Sequence, residues 1–226
     1  MPLIVIEGLD SSGKATQVEK LYLRLLFEGQ KVKRISFPNY NSESSTLVKM
    51  YLNGSFGESA GDVSPYAASS FYAVDRYASY MTNWKRLLDA GQFVISDRYV
   101  ASNLIHQAAK FDTEEEKDAY IEWETDYEYN KLGLPKADFV LFLNMPPETS
   151  IKLMEQRANK FTGHMEKDIH EKDSAYIQQS YQNAKYIIGK NPDWKVISCA
   201  DENGNLRSIE DINEEIYASV KEKFGL

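Results

Sequence analysis

Only one cysteine, Cys199, occurs in the 226 residues. An internal disulfide is therefore excluded, and so is a zinc cage built from cysteines. A lone thiol suits a reducing compartment. Histidine is scarce as well, and His164 and His170 have no metal-ligand spacing. Long apolar runs are missing. The stretch Phe139–Leu143 falls far short of the ~20 residues that span a bilayer. Met1–Glu7 has no basic lead and too short an apolar run for a signal peptide. A soluble, cytoplasmic protein is expected. Positive charge is in deficit, with 26 Lys and Arg against 34 Asp and Glu and a formal net charge of −8. That balance opposes binding to nucleic acid. An enzyme acting on phosphates must then gather its cations locally.

What is present describes a packed domain. Hydrophobic residues make up 42% and charged residues 27%, which argues against disorder. The length fits a single α/β domain, and no repeat or low-complexity linker divides it. Five β-rich runs stand out: Leu3–Glu7, Val32–Phe37, Phe93–Ser96, Phe139–Leu143 and Lys195–Ser198. The first, third and fourth are nearly all apolar, as parallel strands buried on both faces require. Between the first two, Val18, Leu21, Tyr22, Leu25 and Leu26 repeat at helical spacing, and Gly29 closes the helix. Ser64-Pro65 opens a long segment reaching Gly91. Its apolar residues lie around most of the circumference, so a central, largely buried helix is expected. Thr113 and Glu116 form a capping-box pattern for a helix ending near Gly133. Further helices fit Glu148–Arg157, Glu171–Lys190 and Ile209–Lys223. Alternating strands and helices predict a parallel sheet of about five strands, wrapped on both faces, with ligands bound at the strand carboxyl ends.

The strongest motif follows the first strand: Gly8-Leu9-Asp10-Ser11-Ser12-Gly13-Lys14-Ala15-Thr16. A glycine-rich loop between strand and helix aims backbone N–H groups inward, where phosphate oxygens accept from them. Lys14 reaches the β- and γ-phosphates in such a loop. The strict pattern places Ser or Thr directly after the lysine, but here Ala15 intervenes before Thr16. The hydroxyl that holds Mg²⁺ is thus missing or shifted, and the metal must lean on carboxylates and water. A glycine-rich turn that merely joins strand to helix is the plain alternative. The spacing, the lysine and the amphipathic helix together count against it.

A second motif ends the third strand: Ser96-Asp97-Arg98-Tyr99-Val100-Ala101-Ser102-Asn103. Asp97 at a strand carboxyl end can hold a metal through water, and Arg98 can clamp a phosphate with its planar fork. By itself this reads better as an Asp–Arg ion pair at a helix start. One crossover after a phosphate loop, the functional reading is favoured.

The chain resembles the thymidylate kinase family over nearly its whole length. The phosphate loop, Phe37-Pro38, Asp75-Arg76, Asp97-Arg98-Tyr99 with Ser102, Leu132-Gly133-Leu134-Pro135 and Asp168–Glu171 occur in the family's order. The resemblance implies a P-loop NTPase-type fold, a homodimer formed through helices, and transfer of a phosphoryl group from ATP-Mg to thymidine monophosphate in the supply of dTTP. It places ATP on Gly8, Ser11, Ser12, Gly13, Lys14, Ala15 and Thr16. Tyr72 then stacks on thymine, and Arg76 donates to the carbonyl edge of the base. As a lone tyrosine on a helix, Tyr72 reads better as core. An arginine on a buried helix, however, needs an anionic or polar partner. Phe37, Pro38 and Tyr40 border the nucleoside and its phosphate. Arg98, Ser102 and Asn103 complete the acceptor side. Asp10 lies near the acceptor sugar and phosphate, and a carboxylate there implies a cationic partner such as Arg98. His106, one helical turn past Ser102, stands where relatives often place a large aromatic near the sugar 2′ position.

Three departures from the family pattern matter. Ala15 is one. Asn39 follows the proline where many members have arginine, which shifts phosphate binding toward Arg98. Ser11 stands where some members carry an arginine that supplies charge to the transferring group. The compensating cation is expected from a lid segment at about 157–170, as Arg157 with Lys160 or Lys167. A solvated charged loop is the bland reading of that segment. Rival functions are a kinase for another nucleotide or nucleoside, and a silent nucleotide sensor. A GTP-dependent switch is rejected, because Asn130-Lys131-Leu132-Gly133 lacks the aspartate that reads guanine.

Overall fold

The computed structural model describes residues 2–155 and 174–226. Five parallel strands form one sheet in the order β2-β3-β1-β4-β5. They are β1 (Leu3–Gly8), β2 (Val32–Ser36), β3 (Phe93–Asp97), β4 (Phe139–Asn144) and β5 (Lys195–Ser198). All five runs read from the sequence are strands, with ends shifted by a residue at most.

Alternation along β1 explains why the sheet is covered on both sides. Ile4 and Ile6 enter one core with Val18, Leu21 and Leu25 of α1 (Lys14–Phe27) and with Ile216 and Val220 of α9 (Ile209–Phe224). Leu3 and Val5 point into the opposite core, with Trp84, Leu88, Val94, Tyr99 and Val140. Glu7, the one charged residue of this central strand, is fully buried.

The remaining helices are α2 (Thr46–Leu52), α3 (Pro65–Ser79), α4 (Lys85–Asp89), α5 (Val100–His106), α6 (Glu114–Thr125), α7 (Pro147–Glu155) and α8 (Ser174–Lys190). Ser64 Oγ caps α3 by accepting from Ala67 N, next to Pro65 at the first helical position. Thr113 and Glu116 make the expected reciprocal capping box on α6.

The long segment from Pro65 differs from expectation in two respects. A π-helical turn, Tyr80–Trp84, interrupts it between α3 and α4. It is also not buried all round: Val74, Tyr77 and Met81 are 46%, 40% and 50% exposed, and they lie on one face. Apolar composition overstated its burial, because that face has nothing packed on it among the described residues. The short helix α2 carries too few residues to show a period and was not expected, whereas α5 is the helix anticipated after Asp97-Arg98.

Candidate active site

The carboxyl ends of β1, β2 and β3 lie side by side, with Ile6 in register with Asp97 and Ser36 also opposite Asp97. The loops leaving them enclose a cavity of about 590 Å³. Its walls bring together nearly all the residues singled out from the sequence. Asp10, Ser11, Gly13, Lys14, Ala15 and Thr16 form one end. Phe37, Pro38, Tyr40, Tyr72, Arg76, Asp97, Arg98, Ser102, Asn103 and His106 complete the rest. Leu52, Gln107 and Leu153 also line it and were not anticipated.

The phosphate loop has the backbone its composition demands. Gly8 has φ 151°, and a Cβ there would meet Ser12 Oγ at 2.7 Å and the Leu143 carbonyl at 2.9 Å. Only glycine fits such a position. Gly13 enters α1 from the left-handed region at φ 85°. Lys14 is buried and lies back over the loop, donating from Nζ to Leu9 O at 2.6 Å. Ser150 of α7 ties the loop from the far side by donating to the Asp10 carbonyl.

Arg98 is the hub of the end opposite the phosphate loop. It has φ 66°, a strained value for a side chain with a Cβ, and Arg98 N donates to Ile6 O at 3.1 Å to hold it there. Its Nη2 donates to Asp10 Oδ1 at 2.9 Å. Its Nη1 lies 3.1 Å from both Ser102 Oγ and His106 Nε2. A guanidinium can only donate, so in this contact His106 Nε2 is the acceptor. The i, i+4 relation of Ser102 and His106 therefore brings both to one guanidinium. Burial opposes the charge on Arg98, but Asp10, Glu7 and Asp97 outweigh it and hold the pKa above the usual arginine value. The cationic partner that Asp10 called for is thus present.

Glu7 supports this hub from below, and the sequence reading had not singled it out. Its Oε1 accepts from Tyr99 N at 2.8 Å and its Oε2 from Ser102 Oγ at 2.7 Å. Burial pushes the carboxyl pKa up, and Arg98, the Ser102 and Tyr99 hydrogen bonds and Lys14 counter this in part. A single charge inside an apolar strand was the available signal.

The Asp75-Arg76 pair divides its work. Asp75 accepts from Asn39 N at 2.7 Å and from Ser44 Oγ at 2.5 Å, fixing the loop after the cis Phe37–Pro38 peptide. Arg76 turns the other way. Its Nε donates to Glu128 Oε2 at 2.7 Å, and its Nη2 donates to Glu128 Oε1. Glu124 lies 3.9 Å from Nη2. The anionic partner that a buried Arg76 needs is supplied by the protein itself, as Glu128. Arg76 still lines the cavity, with Nη1 as its remaining nitrogen. Burial lowers its affinity for the proton, but Glu128 and Glu124 overcome this and raise the pKa. Tyr72 is half-buried. It packs edge-on to Tyr51 at 6.4 Å and also lines the cavity, so the core and the site readings both describe it.

Asp97 lies partly exposed at the end of β3, within the cavity wall. No cluster of three or more His, Cys, Asp or Glu converges among the described residues. That donor set fits a hard cation held by one carboxylate, water and substrate phosphates, as Mg²⁺ usually is, rather than a protein cage. Gly8 and Ser12 lie beneath the loop rather than in the lining. Arg157, Lys160, Lys167, His164, His170 and the rest of the lid segment lie outside the described residues.

Comparison with known proteins decides the family. The sequence profile described as Thymidylate kinase matches residues 6–216. The chain belongs to the thymidylate kinase family. It is 34% identical over 179 residues to a thymidylate kinase of Mycobacterium tuberculosis, covering 79% of this chain and 81% of that one. It is 25% identical to a thymidylate kinase of Danio rerio over 95% of this chain and 87% of that one. Among solved structures, a thymidylate kinase from Candida albicans superposes with a TM-score of 0.71 at 25% identity, covering 98% of this chain and 91% of that chain. The thymidylate kinase fold thus extends over the strands, the phosphate loop and the cavity described above.

Proposed function

We propose that this chain transfers the γ-phosphoryl group of ATP to thymidine monophosphate, yielding ADP and thymidine diphosphate. The observation that carries the reading is one cavity with Lys14 and the phosphate loop at one end and Arg98 at the other. An oxygen of the acceptor monophosphate attacks the γ-phosphorus. The bond to the β,γ-bridging oxygen breaks, and ADP leaves with the electron pair. A nucleoside monophosphate is already ionised near neutral pH, so no general base is needed. Positioning and charge neutralisation carry such a reaction.

The roles follow from the geometry. The loop N–H groups and Lys14 receive the donor phosphates. Arg98, braced by Asp10 and Glu7, holds the acceptor phosphate. Tyr72 and Arg76 face the base, and Phe37, Pro38 and Tyr40 border the nucleoside. Asp97, with Thr16 lining the same cavity, would hold Mg²⁺ through water. When bound, that ion neutralises charge on the β- and γ-phosphates. Val74, Tyr77 and Met81 give the exposed apolar stripe for a homodimer. No helix among the described residues is long and apolar enough to cross a membrane, which agrees with a cytoplasmic enzyme.

The test is a coupled ADP-release assay with ATP, Mg²⁺ and each common nucleoside monophosphate. Thymidine monophosphate should give the highest kcat/KM. A higher value for another nucleotide would assign the enzyme to that substrate instead.

A further inference from the structure

Behind the base end of the cavity lies an acidic pair that the reaction does not use. Glu124 on α6 and Glu128 on the following turn are both fully buried. One arginine, Arg76, faces them. Two buried carboxylates against one guanidinium would leave a net negative charge without water, which is costly. Asn103 completes the group. Its Nδ2 donates to Glu124 Oε1 at 2.6 Å and lies 3.4 Å from Glu128 Oε1 and from Ser69 O.

We propose that Glu124 and Glu128 are positioning residues for base selection: they lock the Asn103 amide so that its carbonyl oxygen, not its NH₂, faces the base. The proposal rests on the reading of this cavity as the site of a nucleoside monophosphate. Three acceptors surround Nδ2. Turning the amide over would set Oδ1 against all three. The network therefore permits one orientation. Because Asn103 lines the cavity and its NH₂ is turned to the acids, Oδ1 is the end offered to a ligand. Arg76 also lines the cavity, and with Nε and Nη2 committed to Glu128 its Nη1 is the nitrogen that can offer a donor to a ligand. A donor together with an acceptor matches a base edge with a carbonyl next to a ring N–H, as thymine has. Cytosine presents an amino group and an unprotonated ring nitrogen, the inverse pattern.

One proton shared by the two acids completes the arrangement. Glu124 Oε2 is buried and meets no donor among the described residues. A hydroxyl at that oxygen, donating toward Glu128, leaves Oε1 as a carbonyl acceptor for Asn103 and makes the group neutral overall. The raised pKa of Glu124, from burial and from Glu128, agrees with this protonated form.

The test compares Glu124→Gln with Glu124→Leu in steady-state assays on dTMP and dCMP, with melting curves for both. Glutamine reproduces the protonated acid: its oxygen accepts from Asn103 and its NH₂ donates to Glu128. Glu124→Gln should keep the dTMP-over-dCMP ratio of kcat/KM within about twofold. Glu124→Leu removes the main acceptor and frees the amide to turn, so the ratio should fall by roughly tenfold, the discrimination of one hydrogen bond. A role in packing alone would lower the Tm of the leucine variant and leave the ratio unchanged, which would overturn the proposal. A glutamine variant that loses selectivity would overturn it too, and that variant decides the matter if the leucine form does not fold. Absence of dTMP turnover in the wild type would instead sink the functional reading.

Discussion

Arg98 Nη2 and Asp10 Oδ1 lie 2.9 Å apart, joining the turn after β3 to the phosphate loop. Under the proposed function, this contact couples the acceptor end of the cavity to the donor end, and a phosphate bound to Arg98 would be placed relative to the phosphate loop. Arg98→Lys should keep a positive charge but lose the fork that reaches Asp10, Ser102 and His106 together. We expect kcat/KM for dTMP to fall by roughly 10- to 100-fold, from the loss of charge-assisted hydrogen bonds worth ~1.5–3 kcal/mol. Steady-state kinetics check this, and unchanged kcat/KM would remove Arg98 from the acceptor site.

Lys14 contributes chiefly to the transition state. Lys14→Ala should lower kcat by roughly 10²–10³-fold, the scale seen when one preorganised donor is removed from developing charge. The lysine donates to Leu9 O, so its loss also loosens the loop slightly. Single-turnover rates measured beside ATP affinity separate the two effects. The prediction is a larger change in rate than in affinity.

Removing Glu128 should test the buried ion pair. Glu128→Ala removes both carboxylate oxygens that hydrogen-bond the Arg76 guanidinium, which is 1% exposed, and leaves only Glu124 at 3.9 Å. Breaking a buried pair from one side costs ~3–5 kcal/mol. A fall in Tm of roughly 10 °C or more is expected for a domain of this size. Thermal unfolding followed by circular dichroism reads it directly.

Glu124 should make stability depend on pH. Burial, with Glu128 next in effect, pushes its pKa from the ordinary 4.5 to about 9. Between those values the folded state binds the proton more tightly than the unfolded state. Its contribution is therefore fully present below about 4.5 and is lost as pH rises toward about 9. The slope from one such group is at most ~1.4 kcal/mol per pH unit. Chemical denaturation at pH 5.5 and 8 should show wild-type stability falling over this window. Glu124→Gln, which carries no proton to lose, should show a smaller fall. Equal slopes in the two proteins would place Glu124 outside the titration.

Features set by local spacing were readable in the sequence. The strand, glycines and lysine of the phosphate loop lie within fourteen residues of the start. Ser102 and His106 share a helix face by simple arithmetic. Asp10 announced a cation because a carboxylate among phosphates needs one. Arg76 shows where such reasoning stops. Its partner Glu128 lies 52 positions away, on the turn after a helix so acidic that the buried Glu124 and Glu128 resemble its solvated glutamates. The exposed face of α3 was misjudged for a related reason: apolar composition shows that a surface prefers cover without showing what covers it.

The most direct measurement of the central claim follows the label from γ-³²P-ATP. Wild-type protein is incubated with Mg²⁺ and thymidine monophosphate, and the products are separated by chromatography. Label should pass to thymidine diphosphate with an equal amount of ADP formed, and Lys14→Ala should nearly abolish the transfer. Label remaining in ATP, or released only as inorganic phosphate, would contradict the account.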